Sequence, residues 1–325
     1  MHDTHPEPAT YAHRCCPNCG SDRRGQQSVH SDPRAEQLPF ARVLEQWDTD
    51  IFNVKSYFSY FRCGDCGLLY CPEYPDDRQL EQLYGSMKPN MAELPEASFR
   101  RTQQGYLDAV LRHRPPSGDV IEVGPDRGFL AASAAKRPEC GRFWFIEPNV
   151  TVHGDLRMSV APKPCDISTD LNHFGHIPEG VASMAFMVHV LDHLTDPMRH
   201  LVELRRCLKP GGLLSIVVHN ERSLLARVFG RRHPIYCPYH PQLFNPATLS
   251  SLLERAGFEV LQIVRTRNHY PFGYLLKNAL CRMGLGVLPI PVMSTAIVPL
   301  SLGNIQAIVR KKDGHSHSWP TRDRA

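Results

Sequence analysis

The chain has 325 residues, of which 42% are hydrophobic and 22% charged, and its formal net charge is +4. This balance is typical of a folded globular protein and excludes a disordered or fibrous one. The length suits a core domain of ordinary size plus an accessory module, so we expect two domains. Basic residues are scattered, so composition gives no reason to expect a nucleic acid partner. The first residues lack a basic start followed by an apolar run, so we expect a cytoplasmic protein.

Two Cys-x-x-Cys pairs lie in the N-terminal part of the chain, each followed by a glycine that can release the chain from a tight turn. Four thiolates complete a tetrahedron, for which zinc is the usual ion, and they leave no open position for catalysis. We therefore expect a structural zinc site in a zinc-ribbon-like module over residues 1–74. Two unrelated Cys-x-x-Cys pairs or a redox dithiol are the alternatives, and Cys15 and Cys71 lie close enough to compete as ligands. The predicted ligands are Cys16, Cys19, Cys63 and Cys66.

Helical patterns follow the second cysteine pair. The sequence predicts helices over residues 75–84 and 96–112, the second with apolar side chains on one side. The run from Arg114 to Gly118 contains residues that cannot continue a helix. We expect residues 75–118 to form a helical linker or lid between the two domains.

An apolar strand begins at Asp119, ends in a glycine-rich turn and leads into an alanine-rich helix. This order is typical of a nucleotide-binding βα turn, in which glycine lets a ligand lie against the backbone. A dinucleotide fingerprint would need glycines where this chain has Asp126 and Phe129, and the Asp126 carboxylate would repel a pyrophosphate. The pattern therefore disfavours NAD.

Three later positions are candidates for nucleotide contacts. Glu147 ends the next apolar strand, where a carboxylate can accept both ribose hydroxyls, with a solvated turn residue as the alternative. Asp166 is expected after the third strand, where it would accept the adenine amino group. His189 lies at the edge of the following strand and is expected to contact the bound nucleotide cofactor through its backbone alone.

The sequence pattern E-x-G-x-x-x-G, formed by Glu122, Gly124 and Gly128, resembles the first motif of class I S-adenosylmethionine-dependent methyltransferases. The resemblance implies that both glycines line the methionine end of this cofactor and that Glu122 lies near its ammonium group. Asp126 stands where the family commonly has a middle glycine. A later set of motifs, V-L-D-H, D-P and L-K-P-G-G in this order, resembles the family's segment from strand four to strand five. Asp192 stands where the family has the longer Glu.

That passage reads as a strand, a helix capped by Asp196, and a Gly-Gly turn into another apolar strand, which is a complete βαβ unit. The resemblance extends over residues 119–312 and implies an α/β fold: a Rossmann-like seven-stranded methyltransferase sheet with helices on both faces, preceded by the zinc module. Asn245 is predicted to cap a later helix. Strands over residues 258–266 and 304–311 are expected to close the sheet as an antiparallel pair.

The end of the chain is less regular. Residues 268–303 are expected to form an insertion or lid, and residues 313–325 a disordered tail. The apolar stretch 284–303 is long enough to raise the question of a membrane, but its prolines would break a spanning helix. We expect no transmembrane span, and a surface-seeking segment here is compatible with peripheral membrane contact.

Methyl transfer is an in-line displacement, so the protein mainly supplies alignment and a dry pocket, and a hydroxyl acceptor also needs a base. His240 is the first candidate, because an irregular Tyr-rich segment before it would lie over the carboxyl ends of the strands. In sugar C-methyltransferases with zinc modules, a Glu-His pair occupies a similar place, and here Tyr239 replaces the Glu. His193, after the fourth strand, is the second candidate. For each, a structural histidine is the alternative.

The resemblance implies methylation of a small-molecule or glycan-like acceptor in biosynthesis. O-methylation is the favoured reaction, and C-methylation of a keto-sugar is the second choice. The sequence C-G-L-L-Y, which begins at the last predicted zinc ligand, Cys66, is similar to bacterial enzymes of this kind. An RNA or protein methyltransferase that docks its substrate through the zinc module is the rival. It predicts a basic module face, for which the candidates are Arg14, Arg23, Arg24 and Arg34. A scaffold that binds the cofactor without chemistry is a third alternative, and the oligomeric state is left open.

Overall fold

The computed structural model describes residues 9–47, 56–85, 94–115, 117–276 and 296–312. The N-terminal half begins with short strands and then becomes helical. Its elements are β1 (Ala12–His13), β2 (Arg24–Val29), α1 (Phe40–Trp47), β3 (Tyr60–Cys63), β4 (Leu69–Tyr70), β5 (Glu73–Tyr74), α2 (Asp77–Gly85) and α3 (Glu96–Leu111). The two helices predicted from the sequence are therefore present as α2 and α3, with bounds that differ by one or two residues.

Strands and helices alternate after α3. The elements are β6 (Gly118–Val123), α4 (Phe129–Ala135), β7 (Cys140–Ile146), α5 (His153–Val160), β8 (Cys165–Ser168), β9 (Ala182–Val188), α6 (Pro197–Cys207), β10 (Leu208–His219), α7 (Leu224–Phe229), β11 (Gln242–Leu243), α8 (Pro246–Arg255), β12 (Phe258–Arg265), β13 (Asn268–Pro271), β14 (Ile297–Leu300) and β15 (Asn304–Lys311). Asp196 caps α6 by accepting the Arg199 N–H, and Asn245 caps α8, as predicted.

The central sheet has seven strands in the order β12-β15-β10-β9-β6-β7-β8. The five strands from β6 to β10 are parallel to their neighbours, and β15 lies antiparallel between β10 and β12. This confirms the predicted seven-stranded sheet and its antiparallel closing pair. The chain order reverses between β6 and β9, and such a switch point is where open α/β sheets bind ligands, beyond the carboxyl ends of the strands.

Helices cover both faces of the sheet, which explains the buried apolar runs of its central strands, such as Ala182–Val188 of β9. Helices α3, α4 and α5 bury side chains such as Leu130 and Leu156 against one face. Helices α6 and α8 bury Leu201 and Leu252 against the other. The sheet is therefore the middle layer of three, and only its strand ends are open to a ligand.

The N-terminal strands join the later part of the chain through a second sheet with the order β11-β4-β3-β2. In its register Leu243 of β11 pairs with Leu69 of β4. A common core encloses Trp47 and Tyr74 from the N-terminal part together with Tyr239 from the segment before β11. The zinc module predicted for residues 1–74 thus shares its interior with the segment that carries His240.

Part of the predicted insertion over residues 268–303 is described, and it forms the antiparallel pair β13 and β14. Residues 277–295, and the predicted tail over residues 313–325, lie outside the described residues. Within the described chain, every helix is too short or too polar to cross a membrane.

Candidate active site

The turn after β6 brings the glycine motif close to the turn after β9. Gly124 has φ +64°, and a Cβ built on it would lie 2.5 Å from Cγ2 of Val190. A side chain at this position is therefore excluded by both backbone conformation and space. Gly128 has φ +72°, but its Cβ would meet Leu156 and Ser159 of α5 at 2.8 Å. Both glycines thus permit close packing, Gly128 against α5 and Gly124 against Val190 at the strand ends.

Glu122 lies in β6, two residues before Gly124, and is 2% exposed. The backbone N–H of Ala131 in α4 favours the ionised form of its carboxylate, while its Oε2 atom has no hydrogen-bond partner among the residues that the structure describes. Burial raises the pKa of Glu122 to about 8. A buried, unpaired carboxylate oxygen fits a cationic ligand group, so this observation agrees with an ammonium group nearby.

Glu147 follows β7 and links that strand to the glycine turn. Its Oε2 accepts the Asp126 N–H at 3.0 Å, and its Oε1 accepts the Asn149 N–H at 2.8 Å. Asp126 makes this bond in a left-handed conformation, with φ +50°. Burial raises the pKa of Glu147, against the effect of these two N–H donors. Each carboxylate oxygen keeps acceptor capacity, so the group can also accept hydroxyls of a ligand.

The expectation that Asp166 follows the third strand is wrong. It is the second residue of β8 and lies opposite Trp144 of β7, well before the carboxyl end of the strand. Its carboxylate is paired with the guanidinium of Arg142, near the start of β7. This ion pair engages Oδ2, so an adenine contact from Asp166 would fall to Oδ1.

Four imidazoles surround one carboxylate where β9 and β10 end, a group that we call the histidine cluster. Its members are His189, Asp192, His193, His219 and His240. His189 directly follows β9 and His219 is the last residue of β10. The ring centroid of His219 lies 4.7 Å from that of His189 and 4.9 Å from that of His240. The sequence thus predicted three of the four histidines as site residues.

Asp192 is the fully buried centre of this cluster. Its Oδ2 lies 2.5 Å from Nδ1 of His219 and accepts the His219 backbone N–H at 3.3 Å. Burial opposes ionisation of Asp192, but His219, through its charge and its hydrogen bond, holds the pKa of this carboxyl well below its usual range. The sequence analysis noted Asp192 only as an Asp in place of the family's Glu, and it missed His219. The position of His219 at the end of an apolar strand run was the available signal.

Burial keeps the other imidazoles neutral. It lowers the pKa of His189 to about 3 and lowers the pKa values of His193 and His240, with neighbouring histidines adding to the effect. Nδ1 of His240 lies 2.8 Å from the carbonyl oxygen of Ile235. A carbonyl can only accept, so Nδ1 carries the hydrogen and Nε2 is left as the basic nitrogen. His193 stacks on Tyr239, with 5.6 Å between centroids and 3° between ring planes.

The N-terminal strands hold the segment that carries His240. The Tyr60 hydroxyl donates to the carbonyl of His240 at 2.7 Å, and the Tyr74 hydroxyl donates to that of Pro238 at 2.8 Å. Arg14 donates to the Thr195 carbonyl at 2.7 Å, on the turn before α6. Because Arg14 points into the protein, it does not contribute to the basic module face that the macromolecular rival predicts.

The four predicted zinc ligands come together. Their sulfur atoms all lie within 4.8 Å of one another, and the Cys16–Cys66 and Cys19–Cys63 pairs have Sγ–Sγ distances of 3.5 Å. The glycines after each pair, Gly20 and Gly67, have φ of +74° and +75° as expected for the turns. The competing Cys71 is buried elsewhere, with its thiol 3.7 Å from the Phe58 carbonyl. The set is compatible with a tetrahedral metal site.

The sheet order, the glycine turn after β6 and the acids at the ends of β6 and β7 define a Rossmann-like nucleotide-binding protein of the class I methyltransferase type. Comparison with known families agrees, since the methyltransferase domain family matches residues 97–263, slightly more than half of the chain. The chain belongs to this family of S-adenosylmethionine-dependent methyltransferases.

Individual relatives match parts of the chain. A probable S-adenosylmethionine-dependent methyltransferase of Mycolicibacterium smegmatis is 30% identical over 174 residues, which is 50% of this chain and 59% of the relative. A tRNA U34 carboxymethyltransferase of Methylococcus capsulatus is 38% identical over 86 residues, 24% of this chain and 25% of that protein. The chain thus spans less than two thirds of both curated relatives.

A solved complex of the Haloferax volcanii Trm112 methyltransferase activator with a methyltransferase is similar in fold. Its TM-score is 0.50 at 13% identity, with 68% of this chain and 94% of the other covered. This similarity supports the fold alone.

Proposed function

We propose that the protein transfers the methyl group of S-adenosylmethionine to a hydroxyl of a small-molecule or glycan-like acceptor. The observation that carries this proposal is the histidine cluster, which offers neutral imidazoles at the strand ends beside the glycine turn. A protonated hydroxyl is a poor nucleophile, so a base of this kind is what O-methylation needs from the protein.

The cofactor would lie along the carboxyl ends of β6, β7 and β9. Its sulfonium methyl is the group transferred: an O–C bond forms as the S–C bond breaks, and the electron pair stays on sulfur. The unpaired Oε2 of Glu122 supports binding of the ammonium group. The proposed contacts are Glu122, Gly124, Asp126, Gly128, Glu147 and the backbone of His189.

His240 is the proposed base, and His193 is second to it. With Nδ1 hydrogen-bonded to Ile235, Nε2 of His240 would take the hydroxyl proton as the new bond forms. The contacts from Tyr60 and Tyr74 would keep the segment that carries His240 from shifting. Alignment and exclusion of water would supply the rest of the rate enhancement.

The test begins with calorimetry of S-adenosylhomocysteine binding, followed by turnover on a panel of hydroxylated small molecules and sugars with methyl-labelled cofactor. His240→Asn is expected to lower kcat by about 100-fold or more while the Kd for S-adenosylhomocysteine stays unchanged. His113→Asn serves as the control, since His113 pairs with Gln262 outside the cluster. Unchanged turnover in His240→Asn would remove His240 from the mechanism.

C-methylation of a keto-sugar is the second candidate, because a neutral histidine can equally take a proton from carbon next to a carbonyl. The position of the labelled methyl carbon in the product, read by NMR, separates the two reactions. A macromolecular acceptor is the third candidate, and the tRNA-modifying relative gives it limited support. Salt-dependent binding of tRNA would favour it.

The four-cysteine group is proposed to hold a structural zinc ion. Its sulfur atoms form a closed set of soft ligands, the donor type that zinc favours in structural sites.

A further inference from the structure

The histidine cluster contains a second group of ligands that differs in kind from the four cysteines. His189, Asp192 and His219 each offer one ligand atom, and these atoms lie within 4.8 Å of one another. Two imidazoles and one carboxylate from one side of a site form a set that binds divalent transition metals and leaves other coordination positions open. The four thiolates, by contrast, complete a tetrahedron.

Two buried atoms of this group lack partners. Within the described part of the chain, neither Oδ1 of Asp192 nor Nδ1 of His189 makes a hydrogen bond. Asp192 is 0% exposed, so its free oxygen is shielded from bulk solvent. Buried polar atoms are rarely left without a partner, and an unpaired carboxylate oxygen is costly to bury. A cation at this point would satisfy the carboxylate.

His189 and His219 stand at the ends of two adjacent parallel strands, and Asp192, in the turn after β9, accepts the His219 N–H. The His189 N–H donates to the Val217 carbonyl of β10 at 2.8 Å, which fixes the end of β9 against its neighbour. His189 is also one of the non-glycine residues in the left-handed region, with φ +54°. Such a conformation is unfavourable and persists where surrounding contacts enforce it. Here it directs the ring to within 4.7 Å of the His219 ring.

We propose that His189, Asp192 and His219 bind a divalent transition-metal ion in addition to the zinc of the four-cysteine group. The ion would take Asp192 as its charged ligand and the two imidazoles as neutral ones. Its remaining coordination positions would be open. If the proposed function holds, they would bind the acceptor hydroxyl and make it easier to deprotonate; binding of the ion itself does not depend on that function.

The experiment uses the full chain purified with one equivalent of zinc, verified by elemental analysis, and titrates it with Co²⁺ in the absence of cofactor and acceptor. We expect one further equivalent, with visible absorption from nitrogen and oxygen ligands and no sulfur-to-cobalt charge-transfer band. Asp192→Asn and His219→Ala are expected to weaken Co²⁺ binding by about 100-fold or more. Both should keep their zinc, and the unfolding temperature of each variant reports whether it has folded.

His113→Ala is the matched control, because it removes a histidine outside the cluster and should leave the Co²⁺ affinity unchanged. The proposal is overturned if wild type takes up zinc alone, or if folded Asp192→Asn and His219→Ala bind Co²⁺ as tightly as wild type. A protein that binds Co²⁺ as expected but methylates no acceptor keeps the metal site and loses the proposed function. One that methylates an acceptor but takes up no second ion keeps the function and loses the metal site.

Discussion

At the scale of single residues, Glu122 is a buried carboxylic acid with a raised pKa. Burial raises its pKa to about 8, so most of the carboxyl is protonated at neutral pH when no ligand is bound. An ammonium group beside it would favour the carboxylate, because opposite charges attract strongly in a buried site. Ligand binding near neutral pH should therefore expel a proton.

We predict that S-adenosylhomocysteine binding at pH 7 releases protons and that its affinity rises with pH up to about 8 and then levels off. Calorimetry in buffers of different ionisation enthalpy measures the release directly. Glu122→Gln should bind more weakly and show neither the release nor the pH dependence. Identical heats for wild type in all buffers would contradict the proposed ammonium contact.

The same pKa has a consequence for stability in the absence of ligand. The folded-state pKa of Glu122 is raised, so its contribution to stability is present below the ordinary value of 4.5 and is lost as pH rises through about 8. Wild type should therefore lose more stability between pH 7 and pH 9 than Glu122→Gln does.

The residue types in sequence motifs located most of the candidate site. The sequence did not show how far along its strand a given residue lies. Glu122 and Glu147 sit beside the glycine turn because they belong to motifs with fixed spacing. Asp166 was misplaced because strand β8 extends two residues past it, and its Arg142 partner lies on another strand. His219 was missed because its role arises only when β9 and β10 lie side by side.

At the scale of elements, the α8 cap was predictable because an Asn-Pro pair acts locally. Asn245 accepts the N–H groups of Ala247 and Thr248 at 3.0 and 3.2 Å, and its side-chain amide donates to buried Glu221 at 2.8 Å. The short strands β2, β4 and β11 were not predictable. They owe their conformation to pairing between residues far apart in sequence, as between Leu69 and Leu243.

We predict that Asn245→Ala lowers the free energy of unfolding by about 1 to 2 kcal/mol, since it removes a helix cap and leaves buried Glu221 with one donor fewer. Asn149→Ala is the matched control. Asn149 also accepts an N–H, that of Thr151 at 3.1 Å, but on an exposed turn. Urea unfolding should show a clearly smaller loss for the control. Equal losses would mean that the contact with Glu221 adds nothing.

At the scale of the whole molecule, the N-terminal cysteine module and the methyltransferase sheet form a continuous structure. Strand β11 lies between α7 and α8 in the chain yet pairs with β4 of the module. Cys16 and Cys63 pack in the same core as α6 and α8. The sequence suggested two domains in series because cysteine spacing and the glycine motif are each local signals. Their common core depends on contacts that no local pattern records.

This continuity predicts how the protein responds to loss of zinc. Metal binding supplies folding free energy to small modules, and here the module's core also supports the segment that carries His240. Chelation, or Cys16→Ser, should therefore lower the temperature of a single calorimetric transition by about 10 °C or more. Cys15→Ser is a matched control, since Cys15 is adjacent in sequence but lies outside the four-cysteine group. If two transitions appeared and the later one did not move, the module and the sheet would be energetically independent. The shared aromatic core would then add little to the stability of either part.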